Sequence, residues 1–192
     1  MKGLLTGAGG QLGQALCDSV PQGLELIATG RQQLNLADAQ ACRAAVEQHR
    51  PDWVLNAGAY TAVDKAESEP ELAQAVNAGA PRAFAEALAE RGGRLLQVST
   101  DFVFNGQQGH PYQSTQPRQP LGIYGSSKAA GEEAVETVLG CGVSGAATIL
   151  RTSWVYGPVG RNFLLTMLRL HRLKAEAGEP LLVVADQVVV II

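Results

Sequence analysis

The chain is poor in the residues that usually announce disulfide or metal chemistry. Its 192 residues include only three cysteines and three histidines. Cys17, Cys42 and Cys141 are odd in number and lack Cys-x-x-Cys spacing, which argues against a disulfide framework or a zinc site and fits a reducing cytoplasm. Cys17 and Cys42 fall in Ala-rich helical stretches and read as packing residues. His49, His110 and His171 are dispersed without ligand spacing and read as surface residues, so no metal is expected. No apolar run reaches the about 18 residues of a membrane span. Met1 to Thr6 gives way to glycine too early for a signal peptide. Basic charge is also lacking: 15 Lys and Arg against 18 Asp and Glu leave a net charge of -3. Neither a membrane nor a nucleic acid is therefore the expected partner.

What is present is a core. Hydrophobic residues make up 46% of the chain, enough for one domain without staples. Glycine is in excess, at 22 residues, where average usage would give roughly 13. Much of that excess sits at turns between short Val/Leu/Ile runs and Ala-rich stretches. Strands are predicted at 2–6, 24–29, 53–56, 94–99, 146–151 and 181–185. Helices are predicted after the first glycine turn and over 39–50, 69–76, 82–91, 123–139 and 162–173. The alternation predicts an α/β fold, a Rossmann-like doubly wound parallel sheet. Gly106 to Pro120 reads as a long surface loop. Leu164, Leu165, Met167, Leu168 and Leu170 read as the core face of the last helix, and Arg151, Arg161 and Arg169 as solvated charges.

Three features carry chemistry. Gly7-x-x-Gly10-x-x-Gly13 joins the first strand to the first helix, where glycines admit a phosphate and the helix start offers free N–H groups. The end of the second strand, Thr29-Gly30-Arg31-Gln32, has no carboxylate for a ribose 2′-hydroxyl. Arg31 can neutralise a 2′-phosphate, so NADPH is preferred and NADH stays open. Tyr124-Gly125-Ser126-Ser127-Lys128 places a phenol and an ammonium on one helical face. The ammonium is expected to pull the tyrosine pKa down. Ser99-Thr100-Asp101 closes the fourth strand, where Thr100 can hydrogen-bond a substrate carbonyl beside Tyr124.

Together with Phe102-Val103-Phe104, Ala59-Tyr60-Thr61-Ala62-Val63-Asp64-Lys65-Ala66-Glu67 and Arg151-Thr152-Ser153-Trp154-Val155-Tyr156-Gly157, these motifs resemble the extended short-chain dehydrogenases/reductases. Within them the chain is similar to the dTDP-4-dehydrorhamnose reductase family, from residue 1 to about residue 187. The resemblance implies that Gly7, Gly10, Gln11, Leu12 and Gly13 hold the cofactor diphosphate. Asn35 and Leu36 would lie near the adenine, and Ala59, Tyr60 and Thr61 beneath the nicotinamide ribose. It further implies catalysis by Thr100, Tyr124 and Lys128, contacts of Thr100, Asp101 and Trp154 with a dTDP-sugar, and a possible homodimer. The activity implied is NADPH-dependent reduction of a 4-keto sugar nucleotide. Residues 188–192, five β-branched apolar residues, depart from the family pattern. The expectation is a cofactor domain over 1–187 with the C-terminal substrate lobe truncated. Two other readings stand beside this one. One is a sugar-nucleotide epimerase or dehydratase, disfavoured by Phe102 where dehydratases carry a glutamate. The other is a non-catalytic NADP-binding subunit like that of methionine adenosyltransferase.

Overall fold

The computed structural model describes residues 1–142 and 145–183. Five parallel strands form one sheet in the order β2-β1-β3-β4-β5: β1 Lys2–Thr6, β2 Glu25–Thr29, β3 Trp53–Asn56, β4 Arg94–Thr100 and β5 Ala147–Thr152. The helices are α1 Gln11–Asp18, α2 Ala39–His49, α3 Val63–Ala66, α4 Pro70–Gln74, α5 Ala80–Arg91, α6 Ile123–Leu139 and α7 Phe163–Glu176. This is the Rossmann-like α/β architecture the alternation predicts. The sixth strand is not borne out over 181–183, which are irregular, and 184–185 lie outside the described residues, as does the 188–192 tail.

From β1 the chain turns to β2 on one side, then crosses back to β3 on the other. The strand order therefore reverses between β1 and β3, and a crevice opens beyond their carboxyl ends. Right-handed crossovers place α1 on one face of the sheet and α2, α5 and α6 on the other. There α2, α5 and α6 pack side by side over Leu4, Val46, Val54, Phe84, Leu88, Leu95 and Val135. β1 is buried over four consecutive residues because it lies inside the sheet with cover on both faces.

Residues 70–91, predicted as two helices, run on as one rod with a π-helical turn at Ala75–Gly79. Pro81 supplies no N–H to the ladder, and the wider turn before it absorbs the mismatch. The loop at 59–65 also contains a helical turn, α3. Helix α7 departs further from expectation: its apolar stripe is not core. None of its residues is buried, and Leu164 and Leu168 are about half exposed, at 52% and 49%. Periodicity marks an apolar stripe without saying what covers it.

Candidate active site

The glycine turn is shaped by contact. Gly7 adopts φ +69, and a Cβ there would come within 2.6 Å of Gly58. A Cβ on Gly13 would meet the Gly7 carbonyl oxygen at 2.1 Å, so α1 can approach β1 this closely only with glycine at 13. Gly10 is the N-cap of α1 without a side-chain cap, and its own N–H donates to the Gly7 carbonyl at 2.9 Å. The first-turn N–H groups of α1 are thus left to an outside acceptor, and nothing lies within 4 Å of a Cβ built at Gly9. Such a cradle, with a helix start aimed into it, fits the diphosphate of a dinucleotide. The Gln11 side chain is engaged elsewhere. It donates to the Arg161 carbonyl at 3.1 Å and accepts from Asn162 Nδ2 at 2.8 Å, drawing the segment after Gly157 over the start of α1.

Across the switch point a polar ladder runs through the sheet. Thr6 Oγ1 donates to Asn56 Oδ1 at 2.5 Å, and Asn56 Nδ2 donates to Gln97 Oε1 at 2.7 Å. Thr6 Oγ1 also accepts from Gly58 N at 3.1 Å, fixing the loop that leads to Ala59, Tyr60 and Thr61. Leu36 packs onto the core and presses on Gly58. Arg31 and Asn35 are exposed at the β2 side of the crevice, away from the tyrosine, with Asn35 Oδ1 accepting from Ala37 N.

The β4 and α6 side holds the reactive groups. Thr100 is buried at the carboxyl end of β4; its hydroxyl donates to Asp101 Oδ1 at 3.0 Å and accepts from Phe102 N. Asp101 Oδ2 accepts from Ser153 Oγ at 2.8 Å. Tyr124 lies edge-on to Phe102 with ring centroids 5.5 Å apart. Burial pushes the Tyr124 phenol up; the Thr100 hydroxyl counters this and the Asp101 carboxylate adds to it. That corrects the expectation of a lowered tyrosine pKa. The Lys128 ammonium is instead turned to the sheet, donating to the Val98 carbonyl at 2.6 Å, and burial brings it down to about 8. Trp154 is exposed, in the left-handed region at φ +51, with its ring edge-on to Phe163 at 5.2 Å. A non-glycine residue held there carries backbone strain.

Three residues to which the sequence assigned no part in the site organise this side. Asn77, buried in the π-helical turn, accepts from Tyr60 N at 2.9 Å and donates to Tyr60 O and to Ser127 Oγ, both at 3.0 Å. Ser127 Oγ in turn donates to the Tyr124 carbonyl at 2.8 Å, so one amide links the Ala59–Thr61 loop to α6. Glu132, with no exposure at all, accepts from Arg151 Nη2 and from Arg118 Nε, each at 2.6 Å. Burial pushes its carboxyl up, but the two guanidinium groups hold it below the usual range. Arg151 is therefore not a solvated charge: it also donates to the Ser114 carbonyl at 2.9 Å and lies over the Phe104 ring. Glu132 had a readable signal, since it continues the stripe of Tyr124 and Lys128 at steps of four. Asn77 and Arg151 are placed by tertiary contacts that no spacing encodes.

Residues 1–190 match the family described as the RmlD substrate binding domain. The chain belongs to this family. Among its relatives, a dTDP-4-dehydrorhamnose reductase of Streptomyces griseus is 46% identical over 184 residues, covering 95% of this chain and 58% of that protein. A crystal structure of a dTDP-4-dehydrorhamnose reductase from Clostridium acetobutylicum superposes with a TM-score of 0.83 at 35% identity, over 90% of this chain and 60% of that one. A Bacillus anthracis dTDP-4-dehydrorhamnose reductase in complex with NADP gives the same TM-score, identity and coverage. The chain thus spans about 60% of the length of the relatives it matches.

Proposed function

We propose that the chain binds NADPH across the β1/β3 switch point and reduces the 4-keto group of dTDP-4-dehydro-L-rhamnose, with residues 1–187 as the cofactor-binding unit. The observation that carries this reading is the placement of Thr100, Asp101, Tyr124 and Lys128 beside one another at the carboxyl ends of the strands, on the same side as the glycine cradle. NADPH supplies the hydride when bound. Gly7, Gly10, Leu12 and Gly13 with the start of α1 hold its diphosphate, Gln11 contributing through its backbone N–H. Arg31 offers charge to a 2′-phosphate, Asn35 and Leu36 flank the adenine, and Ala59, Tyr60 and Thr61 form the floor toward the nicotinamide ribose.

A proton donor to a reduced carbonyl must hold its proton at neutral pH, which an ordinary phenol already does. Burial raises the Tyr124 phenol further, so loss of its proton needs a positive charge nearby. Thr100 orients the substrate carbonyl, and Asp101 and Trp154 border the sugar nucleotide. As Tyr124 gives up its proton, the buried Lys128 ammonium would have to turn from the Val98 carbonyl toward the phenol to stabilise the phenolate left behind, an interaction strengthened by exclusion of water.

Fluorescence titration with NADPH and NADH, followed by addition of dTDP-4-keto-L-rhamnose, tests the reading. NADPH is expected to bind more tightly than NADH. Tyr124→Phe is expected to lower turnover by about 10²–10⁴-fold while NADPH affinity stays within about twofold. NADPH binding without turnover in the parent chain would favour a non-catalytic NADP-binding subunit, and binding of neither nucleotide would end the cofactor reading.

A further inference from the structure

We propose that Glu67 is a positioning residue for Tyr124, acting as an external N-cap of α6. The inference rests on the reading of Tyr124 as proton donor and concerns what holds that phenol still. Tyr124 is the second residue of α6. The first turn of a helix has N–H groups without intrahelical partners and frays unless something accepts from them. The residue that should cap it is Gly122, which lies in the extended region at φ -122, ψ 173 and has no side chain to offer. Gly125, directly after the tyrosine, weakens the same turn further. It cannot be exchanged for a better helix former, because its Cβ would meet the Phe102 carbonyl oxygen at 2.3 Å. The reactive tyrosine therefore sits in a locally poor helix start.

The acceptor arrives from 56 residues upstream. Glu67 Oε1 accepts from Ile123 N at 2.8 Å. Its negative charge at a helix N-terminus also suits the helix dipole. The approach is tight: a Cβ on Gly122 would lie 2.9 Å from Glu67 Oε1, so an external carboxylate and a local capping side chain compete for one space. Glu67 directly follows α3, on the segment that begins with Ala59, Tyr60 and Thr61. The cap thus ties the cofactor side of the crevice to the tyrosine side. Asn77 makes a second tie one turn deeper, through Ser127. That inner tie is buried and meets the Tyr124 carbonyl through Ser127, whereas Glu67 takes up the N–H that opens the turn, at Ile123.

The test compares Glu67→Ala, Glu67→Gln and Glu67→Ala/Gly122→Ser in the full chain. Glutamine keeps an acceptor without the charge; serine at 122 supplies a local cap in the space the glutamate vacates. Two readouts need no turnover: amide hydrogen exchange at Ile123 and Tyr124, and the ring ¹³C resonance of Tyr124, assigned by its loss in Tyr124→Phe. Glu67→Ala is expected to lose about tenfold exchange protection at these amides and to shift the Tyr124 resonance. The glutamine and double variants should restore both, and the double variant keeps the test open should Glu67→Ala fail to fold. In turnover, Glu67→Ala should lower kcat about tenfold with KM for NADPH within about twofold, again rescued by glutamine. Unchanged exchange and an unshifted resonance in Glu67→Ala would overturn the proposal, as would failure of the serine cap to rescue. If Tyr124→Phe leaves turnover intact, the proton-donor reading fails separately, while the exchange data still report whether Glu67 caps the helix.

Discussion

Helices α6 and α7 are both amphipathic by sequence, yet they live in different surroundings. In α6, eight residues are buried, among them Gly125, Ser127, Lys128, Ala129, Gly131, Glu132 and Ala134. In α7, whose stripe is built from leucines and a methionine, none is. Small residues rather than large apolar ones mark the helix that enters the core, because they let its backbone close on its neighbours. At Gly131 the carbonyl of Asn77 stands 2.1 Å from where a Cβ would be. That close approach carries charge inside with it: Lys128 and Glu132 are buried with α6 and must be satisfied there, by Val98 and by two arginines. The chemistry of the site rests on the helix that looks less hydrophobic.

The contrast is broken most severely at Glu132. Glu132→Ala leaves Arg118 and Arg151 facing an uncompensated cavity, and should cost about 3–5 kcal/mol of stability by urea denaturation. Replacing Arg118, Glu132 and Arg151 together with apolar residues of similar size should cost far less, because no buried charge is left alone and the Glu136 carboxylate that loses Arg118 is exposed to water. If the single change were as mild as the triple, the ion cluster would not be what locks α6. Gly131→Ala comes next. Its methyl group must displace the π-helical turn or the helix, at about 1–3 kcal/mol, and the same denaturation series would show it.

The next effect depends on pH. The folded pKa of Lys128, about 8, lies below the ordinary lysine value of 10.5. The unfolded chain therefore binds more protons between those values, and stability rises with pH across that window. The penalty for burying the ammonium is fully present below pH 8 and is relieved above it. Lys128→Met removes the titration, so the variant should lose about 1–2 kcal/mol relative to wild type between pH 7 and 9.5. A pH-independent difference would place the ammonium in water.

The legible parts of this molecule are those written in local spacing. Gly7, Gly10 and Gly13 predicted the turn and the crevice, and Tyr124 and Lys128 predicted a shared helical face, because both depend on neighbours a few residues apart. The direction of the Tyr124 shift was not legible, since it depends on burial and on Asp101 from the turn that follows β4. Arg151 was misread for the same reason: its partners Glu132 and Ser114 lie 19 and 37 residues away. Pro81 marks no free helix start, because α4 runs on into α5, and the π-helical turn that joins them had no signature of its own.

The smallest effect is expected where the sequence looked most like core. Leu164→Gln and Leu168→Gln each exchange a half-exposed side chain for a polar one on α7, and each should change stability by no more than about 0.5 kcal/mol. The same exchange at Ala134, which is 2% exposed on α6, forces a polar amide into packed surroundings and should cost several times as much. Measured side by side in urea, the three variants ask whether burial or hydrophobic character sets the contribution of a helix face. A cost of 2 kcal/mol or more at Leu168 would mean that something covers α7 in solution, and the comparison between the two helices would then have to be drawn again with that cover in place.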